Sequence, residues 1–198
     1  MTHLSLPAAR TRSATSPGAG RQARRLAART GLALALLALP ARASGGAGTP
    51  ALAPDTVVPV RVARVEAAAG ERVLVPVTVD LTAAGKALGS YQGKVLFDPG
   101  QLRLVSATAG GFDGPAVVNA DHASKGTVIF AGASPDARRN RARTRILELT
   151  FEVTAAPGSR AAVRLELQEL VAAGDFSDLT PLASVEDGEV VVRPEGGR

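Results

Sequence analysis

Short runs of aliphatic and β-branched residues alternate with turn-forming residues from about position 56 onward. In "ELTFEV", Leu149, Phe151 and Val153 occupy every second position, with charged and polar residues between them. Because successive side chains of a strand point to opposite faces, this alternation predicts strands with one buried face. The nine runs of this kind are residues 56–65, 71–81, 91–97, 101–107, 115–120, 126–132, 145–153, 161–170 and 188–193. Their spacing is typical of an all-β sandwich.

The sequence of residues 161–170 is compatible with either a helix or a strand. Leu, Glu, Gln and Ala are good helix formers, but the alternation of Val163, Leu165 and Leu167 favours a strand.

Aromatic residues make up 3% of the chain, so the core is predicted to consist mostly of Val, Leu, Ile and Ala. Its predicted large side chains are Phe97, Phe130 and Phe151.

The N-terminal part of the chain is typical of an export signal. Residues 31–43 read "GLALALLALPARA", an apolar run that ends in an A-x-A site at Ala41 and Ala43. The run is shorter than the roughly 20 apolar residues that span a bilayer, which makes a retained membrane anchor the weaker alternative. We therefore predict a signal peptide that is cleaved after Ala43, a secreted or periplasmic location, and no membrane attachment after cleavage.

The basic pI of 10.6 comes from this leader rather than from the folded part. Removing seven leader arginines from the 23 basic residues leaves 16 against 18 acidic residues, a net charge near −2. The seven are Arg10, Arg12, Arg21, Arg24, Arg25, Arg29 and Arg42. Nucleic acid is therefore not an expected partner. The chain has no cysteine, which excludes disulfides, thiolate metal sites and a cysteine nucleophile.

Five segments together resemble the cohesin domain, between residues 57 and 192. A cohesin typically has a Gly-x-x-Val-x-Val-Pro-Val strand, an aromatic-Asp-Pro corner followed by Leu, a Gly-initiated middle strand, an Ile/Leu-x-Phe-x-Val strand and a closing Asn/Asp-Gly-x-Val-x-Val strand. The matching segments, in chain order, are "EAAAGERVLVPVTVDL", "YQGKVLFDPGQLRLVSATAG", "GTVIFAGAS", "ILELTFEV" and "VEDGEVVV". Each segment alone is a weak signal, but their order and spacing are specific.

The resemblance implies a nine-stranded jelly-roll β-sandwich that binds a dockerin-like domain and has no catalytic activity. A role in extracellular polysaccharide degradation or cell-surface assembly follows from the same resemblance, and a polysaccharide-binding module of the same fold is the alternative. The protein is expected to be a monomer without a cofactor. The predicted parts of the chain are a signal peptide at 1–43, a disordered linker at 44–55, a cohesin-like domain at 56–193 and a disordered tail at 194–198.

The segment Phe97-Asp98-Pro99-Gly100 is predicted to be a structural corner. The Asp98 side chain can accept hydrogen bonds from backbone amides of the turn, Pro99 fixes φ, and Gly100 relieves steric crowding. Such a corner joins two strands in a fixed register, so we do not assign a catalytic role to Asp98.

The resemblance implies that the partner-binding face includes the strand before this corner and the Gly-initiated middle strand. By alternation, Val95, Phe97, Val128 and Phe130 should point inward. The outward side chains, and thus the predicted partner-binding face, are Ser90, Gln92, Lys94, Leu96, Thr127, Ile129 and Ala131. Two aliphatic residues among small and polar ones suit a protein-binding face with modest anchors.

No catalytic or metal site is predicted. His122 is the one histidine after the leader, and a solvated loop residue is the favoured interpretation of it. Asp113, Asp175 and Asp178 could supply oxygens to calcium, but their spacing does not match an EF-hand.

Five arginines from Arg138 to Arg145, in "PDARRNRARTR", predict either an anion-binding loop or a solvated surface, and we favour the surface. The chain has no Trp and one Tyr, Tyr91, so direct glycan binding is less favoured than protein binding.

Overall fold

The computed structural model describes residues 56–134 and 140–196. The predicted signal peptide at 1–43 and the linker at 44–55 lie outside the described residues. Within those residues the strands are β1 (Val58–Val62), β2 (Arg64–Ala67), β3 (Arg72–Asp80), β4 (Leu88–Phe97), β5 (Leu102–Ala109), β6 (Ala116–Asn119), β7 (Thr127–Ala133), β8 (Arg143–Val153), β9 (Arg160–Ala172), β10 (Ala183–Glu186) and β11 (Gly188–Val192). Two short 3-10 helices cover Ala123–Lys125 and Thr180–Leu182.

The strands form two sheets that pack as a jelly-roll sandwich. The five-stranded sheet has the order β10-β1-β3-β8-β5, and the six-stranded sheet has the order β2-β11-β9-β4-β7-β6. This confirms the predicted all-β sandwich. Residues 161–170 lie within β9, so the strand interpretation of that segment is also confirmed.

The described part of the chain contains eleven strands rather than the predicted nine. The run at 56–65 divides at Ala63, because β1 pairs with β3 and β10 in one sheet while β2 pairs with β11 in the other. The second additional strand, β10, is four residues long and mostly exposed, so it has no apolar alternation to reveal it. Both differences depend on pairing between distant segments, which a local pattern does not contain.

The core lies between the sheets and is built from alternate residues of both. The predicted large side chains Phe97, Phe130 and Phe151 are all buried, and the rings of Phe97 and Phe151 meet edge to face at 4.9 Å. Two aromatic residues that the pattern did not assign to the core are also buried. They are Tyr91 and Phe112, whose ring centroids lie 4.9 Å apart.

The corner after β4 has the predicted hydrogen bonds. The Gly100 amide donates to Asp98 Oδ1 at 2.8 Å, and the amides of Gln101 and Leu102 donate to the Asp98 carbonyl at 3.0 and 2.9 Å. A Cβ at Gly100 would lie 3.2 Å from Asp98 Oδ1, so glycine permits the close approach of the carboxylate. The corner therefore holds the end of β4 against the start of β5.

Burial raises the pKa of Tyr91 to about 12, and its hydroxyl donates to the Ile146 carbonyl at 3.2 Å. Tyrosine in an unfolded chain titrates near pH 10, so the folded protein retains the phenolic proton more tightly. The resulting stabilisation is complete below about pH 10 and is lost between about pH 10 and 12. We expect the free energy of unfolding to fall by about 2 to 3 kcal/mol over this interval.

Chemical denaturation across this pH range measures the loss, and Tyr91→Phe should reduce it. Because the chain has one Tyr and no Trp, ultraviolet absorbance reports tyrosinate formation at this residue directly. A folded protein whose tyrosine ionises near pH 10 would contradict the prediction.

Candidate docking surface

The seven predicted binding residues lie on the outer face of the six-stranded sheet. On β4 the side chains of Tyr91, Val95 and Phe97 are buried, and on β7 those of Val128 and Phe130 are buried. The alternate positions are exposed or half-buried: Ser90, Gln92, Lys94 and Leu96 on β4, and Thr127, Ile129 and Ala131 on β7. We call the outer face formed by these seven residues the docking surface.

The register of β4 and β7 brings the seven side chains into neighbouring rows. Lys94 is paired with Ile129, Leu96 with Thr127, and Gln92 with Ala131. Directly opposed residues of paired strands have Cβ atoms about 5 Å apart, so these side chains form one continuous patch.

Polar contacts connect the docking surface to β9. Ser90 Oγ donates to Glu169 Oε1 at 2.8 Å, and Gln92 Nε2 donates to Gln168 Oε1 at 3.1 Å. Farther along the same strands, Lys94 Nζ lies 2.7 Å from Glu166 Oε2. These contacts hold the polar side chains of β4 toward β9.

The aliphatic part of this face lies on the other side of β4 and extends to the edge strand. Val117 on β6 is paired with Ala131 and is 69% exposed, while Ile129 is 39% exposed. Sequence alternation missed Val117 because it precedes a second valine, Val118, and the pattern does not show which of the two faces the core. In the structure Val118 packs against the core.

Among the described residues, four arginine–carboxylate pairs lie on the outer face of the five-stranded sheet. The four pairs are Arg61–Glu186, Arg103–Glu152, Arg143–Asp80 and Arg145–Glu148. Hydrogen bonds from Thr82, and further contacts from Arg143, lower the pKa of Asp80. The exposed large aliphatic residues of this sheet are Leu74, Val105 and Val185, and they lie on β3, β5 and β10, no two of which are adjacent. Contiguous aliphatic residues on adjacent strands therefore distinguish the six-stranded sheet.

The arginine-rich segment from Arg138 to Arg145 was predicted to be one loop, and this prediction is wrong at its C-terminal end, where a strand begins. Strand β8 begins at Arg143, and both Arg143 and Arg145 are engaged by carboxylates as described above. Arg141 is exposed and makes an isolated β-bridge with Ala87. Arg138 and Arg139 lie outside the described residues.

Asn140, three residues before the start of β8, is a buried polar residue that the sequence pattern did not identify. It is 1% exposed; its Oδ1 accepts from the Asp113 amide at 2.7 Å, and its Nδ2 donates to the carbonyls of Leu88 and Asp113 at 3.4 and 3.3 Å. The side chain thus joins the start of β4 to the loop before β6.

We expect Asn140→Ala to lower the free energy of unfolding by about 2 kcal/mol, because it removes three hydrogen bonds made by a buried side chain. Asn119→Ala is the matched control, since Asn119 Oδ1 also accepts from a backbone amide, that of Asp121 at 2.9 Å, but at the surface. There the loss should be about 0.5 kcal/mol, because water replaces the bond. Equal losses in urea denaturation of the two variants would contradict this account.

The structure does not bring the other candidate residues together as a site. His122 is exposed and precedes the first 3-10 helix, where its side chain makes no capping hydrogen bond. A hydrogen bond from Lys86 lowers the pKa of Asp175, and hydrogen bonds from Thr180 lower that of Asp178. Within residues 56–134 and 140–196, no three His, Asp or Glu side chains cluster as metal ligands.

Across those same two ranges, no helix is long and apolar enough to cross a membrane.

The Cohesin domain model matches residues 58–192, which is more than half of the chain and includes all strands of the described residues. The chain belongs to the cohesin family. The resemblance found in the sequence is thereby confirmed, and the match covers the whole described sandwich of this cohesin domain. No curated protein sequence matches the chain.

Solved cohesin structures have the same fold. The seventh type I cohesin of ScaB from Pseudobacteroides cellulosolvens is 19% identical, with a TM-score of 0.58 over 71% of this chain and 94% of that one. The sixth cohesin of scaffoldin B from Acetivibrio cellulolyticus, in complex with a dockerin, is 20% identical, with a TM-score of 0.60 over 70% and 100%. A non-cellulosomal cohesin from the archaeon Archaeoglobus fulgidus is 14% identical, with a TM-score of 0.56 over 71% and 94%.

Proposed function

We propose that this protein is an exported, non-catalytic binding module whose cohesin domain binds a dockerin-like domain of another protein. The docking surface makes the contact, through Ser90, Gln92, Lys94, Leu96, Thr127, Ile129 and Ala131. Such binding would recruit the partner for extracellular polysaccharide degradation or for assembly at the cell surface. Family membership supports the class of partner, since a similar solved cohesin is in complex with a dockerin.

The observation that carries the proposed location is the run of exposed or half-buried aliphatic side chains across three adjacent strands. Leu96 on β4, Ile129 on β7 and Val117 on β6 lie beside the polar contacts between β4 and β9. Protein interfaces commonly combine a small apolar centre with a polar rim. The outer face of the five-stranded sheet fits this description less well, because the exposed large aliphatic residues of that sheet lie on strands that are not adjacent.

Binding between the purified exported form and a panel of dockerin domains tests the function. The panel consists of the dockerins encoded by the same organism and those of the similar solved complexes. We expect at least one dockerin to bind in a 1:1 ratio by isothermal titration calorimetry, with the cohesin-domain protein a monomer in sedimentation. A folded protein that binds none of them would contradict the proposal.

A polysaccharide partner is less favoured. Sugar-binding faces usually stack rings on exposed aromatic side chains. Here Tyr91, the sole tyrosine, is buried, the chain has no tryptophan, and the exposed Phe176 lies in the loop after β9 rather than on the docking surface. A glycan array separates the alternatives: binding to a polysaccharide that Ile129→Glu abolishes would favour the carbohydrate-binding module.

Export is the other part of the proposal, and it rests on the apolar run and the A-x-A site of the leader. We expect material recovered outside the cytoplasm to begin at Ser44. Intact-mass measurement checks this, and exported protein that retains residues 10–42 would contradict it.

A further inference from the structure

A cleft lies at the end of the docking surface, between the Asp98 corner and the start of β9. Its volume is about 460 Å³. Leu96, Asp98 and Gln101 line one side, and Arg160, Ala162 and Arg164 line the other. Arg160, Ala162 and Arg164 are alternate, exposed residues of β9, so the cleft opens on the outer face of the six-stranded sheet. We call it the corner cleft.

Positive charge exceeds negative charge in the corner cleft. Arg160 and Arg64 share one carboxylate, that of Glu189, at 3.4 and 3.0 Å. Arg164 has no ion pair within the described part of the chain. Oδ1 of Asp98, the acidic residue of the lining, already accepts the Gly100 amide. A guanidinium without a partner carboxylate thus remains at the mouth of the cleft.

Arg164 differs in this respect from most strand arginines of the opposite sheet. Arg61, Arg103, Arg143 and Arg145 each have a carboxylate partner. Arg72 resembles Arg164 in being an exposed strand arginine for which the described residues supply no ion pair, but it does not line the cleft. It therefore provides a matched control.

The corner cleft is continuous with the docking surface. Leu96 belongs to both, and it is paired with Arg164 across β4 and β9. A planar guanidinium binds a carboxylate through two parallel hydrogen bonds, and the adjacent Leu96 and Ala162 can accommodate an aliphatic neighbour. The surroundings of Arg164 therefore suit an acidic side chain that follows an apolar one.

We propose that the corner cleft is a carboxylate-binding subsite that takes an Asp or Glu side chain of the docked partner protein. This deepens the proposed function and rests on it. The far end of the same strand pair has the opposite charge, because Glu169 there accepts a hydrogen bond from Ser90 and has no ion pair within the described residues. An acidic contact at Arg164 thus fixes the direction in which the partner lies along β4 and β9.

Nuclear magnetic resonance of the arginine Nε–Hε groups tests the subsite without any dockerin. The probe is the peptide acetyl-Leu-Glu-amide, and its neutral counterpart is acetyl-Leu-Gln-amide. We expect the acidic peptide to shift the Arg164 resonance with a dissociation constant of about 1 to 10 mM at low salt, and the neutral peptide to bind at least about tenfold more weakly. Arg164→Gln should abolish binding and Arg72→Gln should leave it unchanged.

Three results would overturn the subsite: equal shifts at Arg72 and Arg164, equal binding of the two peptides, or no Arg164 shift at about 20 mM peptide. Tighter binding of trigalacturonate than of the acidic peptide would also overturn it, because the carboxylate would then come from a polysaccharide. A negative peptide experiment would contradict the carboxylate subsite but not dockerin binding. A negative dockerin titration would contradict the proposed function but not the binding of the peptide at Arg164.

Discussion

Gly126→Ala is expected to lower the free energy of unfolding by about 2 to 5 kcal/mol, a large part of the stability of a domain of this size. Gly126 follows the first 3-10 helix with a φ of 76° and precedes β7. A Cβ there would lie 2.0 Å from the Phe97 carbonyl oxygen. The Phe97 amide donates to the Gly126 carbonyl at 2.9 Å, so the chain cannot move away without losing this bond.

Gly158→Ala separates the two causes of that loss. Gly158 has nearly the same φ, 79°, but no atom lies within 4 Å of the position that its Cβ would take. The left-handed conformation alone costs an alanine about 1 to 2 kcal/mol, and overlap with a packed backbone adds about 1 to 3 kcal/mol. Urea denaturation should therefore show a small loss at Gly158 and a large one at Gly126. Equal losses would mean that the contact with Phe97 relaxes freely.

The orientation of side chains on β4 and β7 could be predicted because the strand repeat of two residues is local. Once Val95 and Phe97 are assigned to the core, Lys94 and Leu96 must face outward, and the structure has this arrangement. The corner was predictable for the same reason, since Asp98 contacts atoms within four residues of itself.

Features that depend on distant segments could not be predicted in this way. The chain passes from one sheet to the other at Ala63 because β1 pairs with β10 in one sheet and β2 pairs with β11 in the other. Both of these partner strands lie more than 100 residues later in the chain. Asn140 has a structural role because its side chain accepts a hydrogen bond from the Asp113 amide. The local sequence, a polar residue within an arginine-rich segment, does not indicate this contact. The corner cleft requires the register of β4 and β9.

The docking surface itself yields the largest expected effect on binding. Ile129→Glu should weaken the affinity for a cognate dockerin at least about 100-fold, equivalent to about 2.8 kcal/mol. Ile129 is 39% exposed and lies between Lys94 on β4 and Asn119 on β6, near the middle of the surface. Lys94, the basic residue opposite, is already paired with Glu166. A glutamate at position 129 would therefore lose its hydration on binding without an unpaired cation beside it, a cost that adds to the lost apolar contact.

Leu96→Glu should weaken binding as well, and by less, because Leu96 lies near the corner end of β4 and Arg164 opposite it can pair with the new carboxylate. Leu74→Glu is the matched control: Leu74 is 44% exposed, comparable with Ile129, but lies on the outer face of the other sheet. Circular dichroism first confirms that all three variants are folded, and calorimetry then compares their affinities. If Leu74→Glu weakened binding and Ile129→Glu did not, the partner would bind the five-stranded sheet, and the docking surface defined here would be wrong.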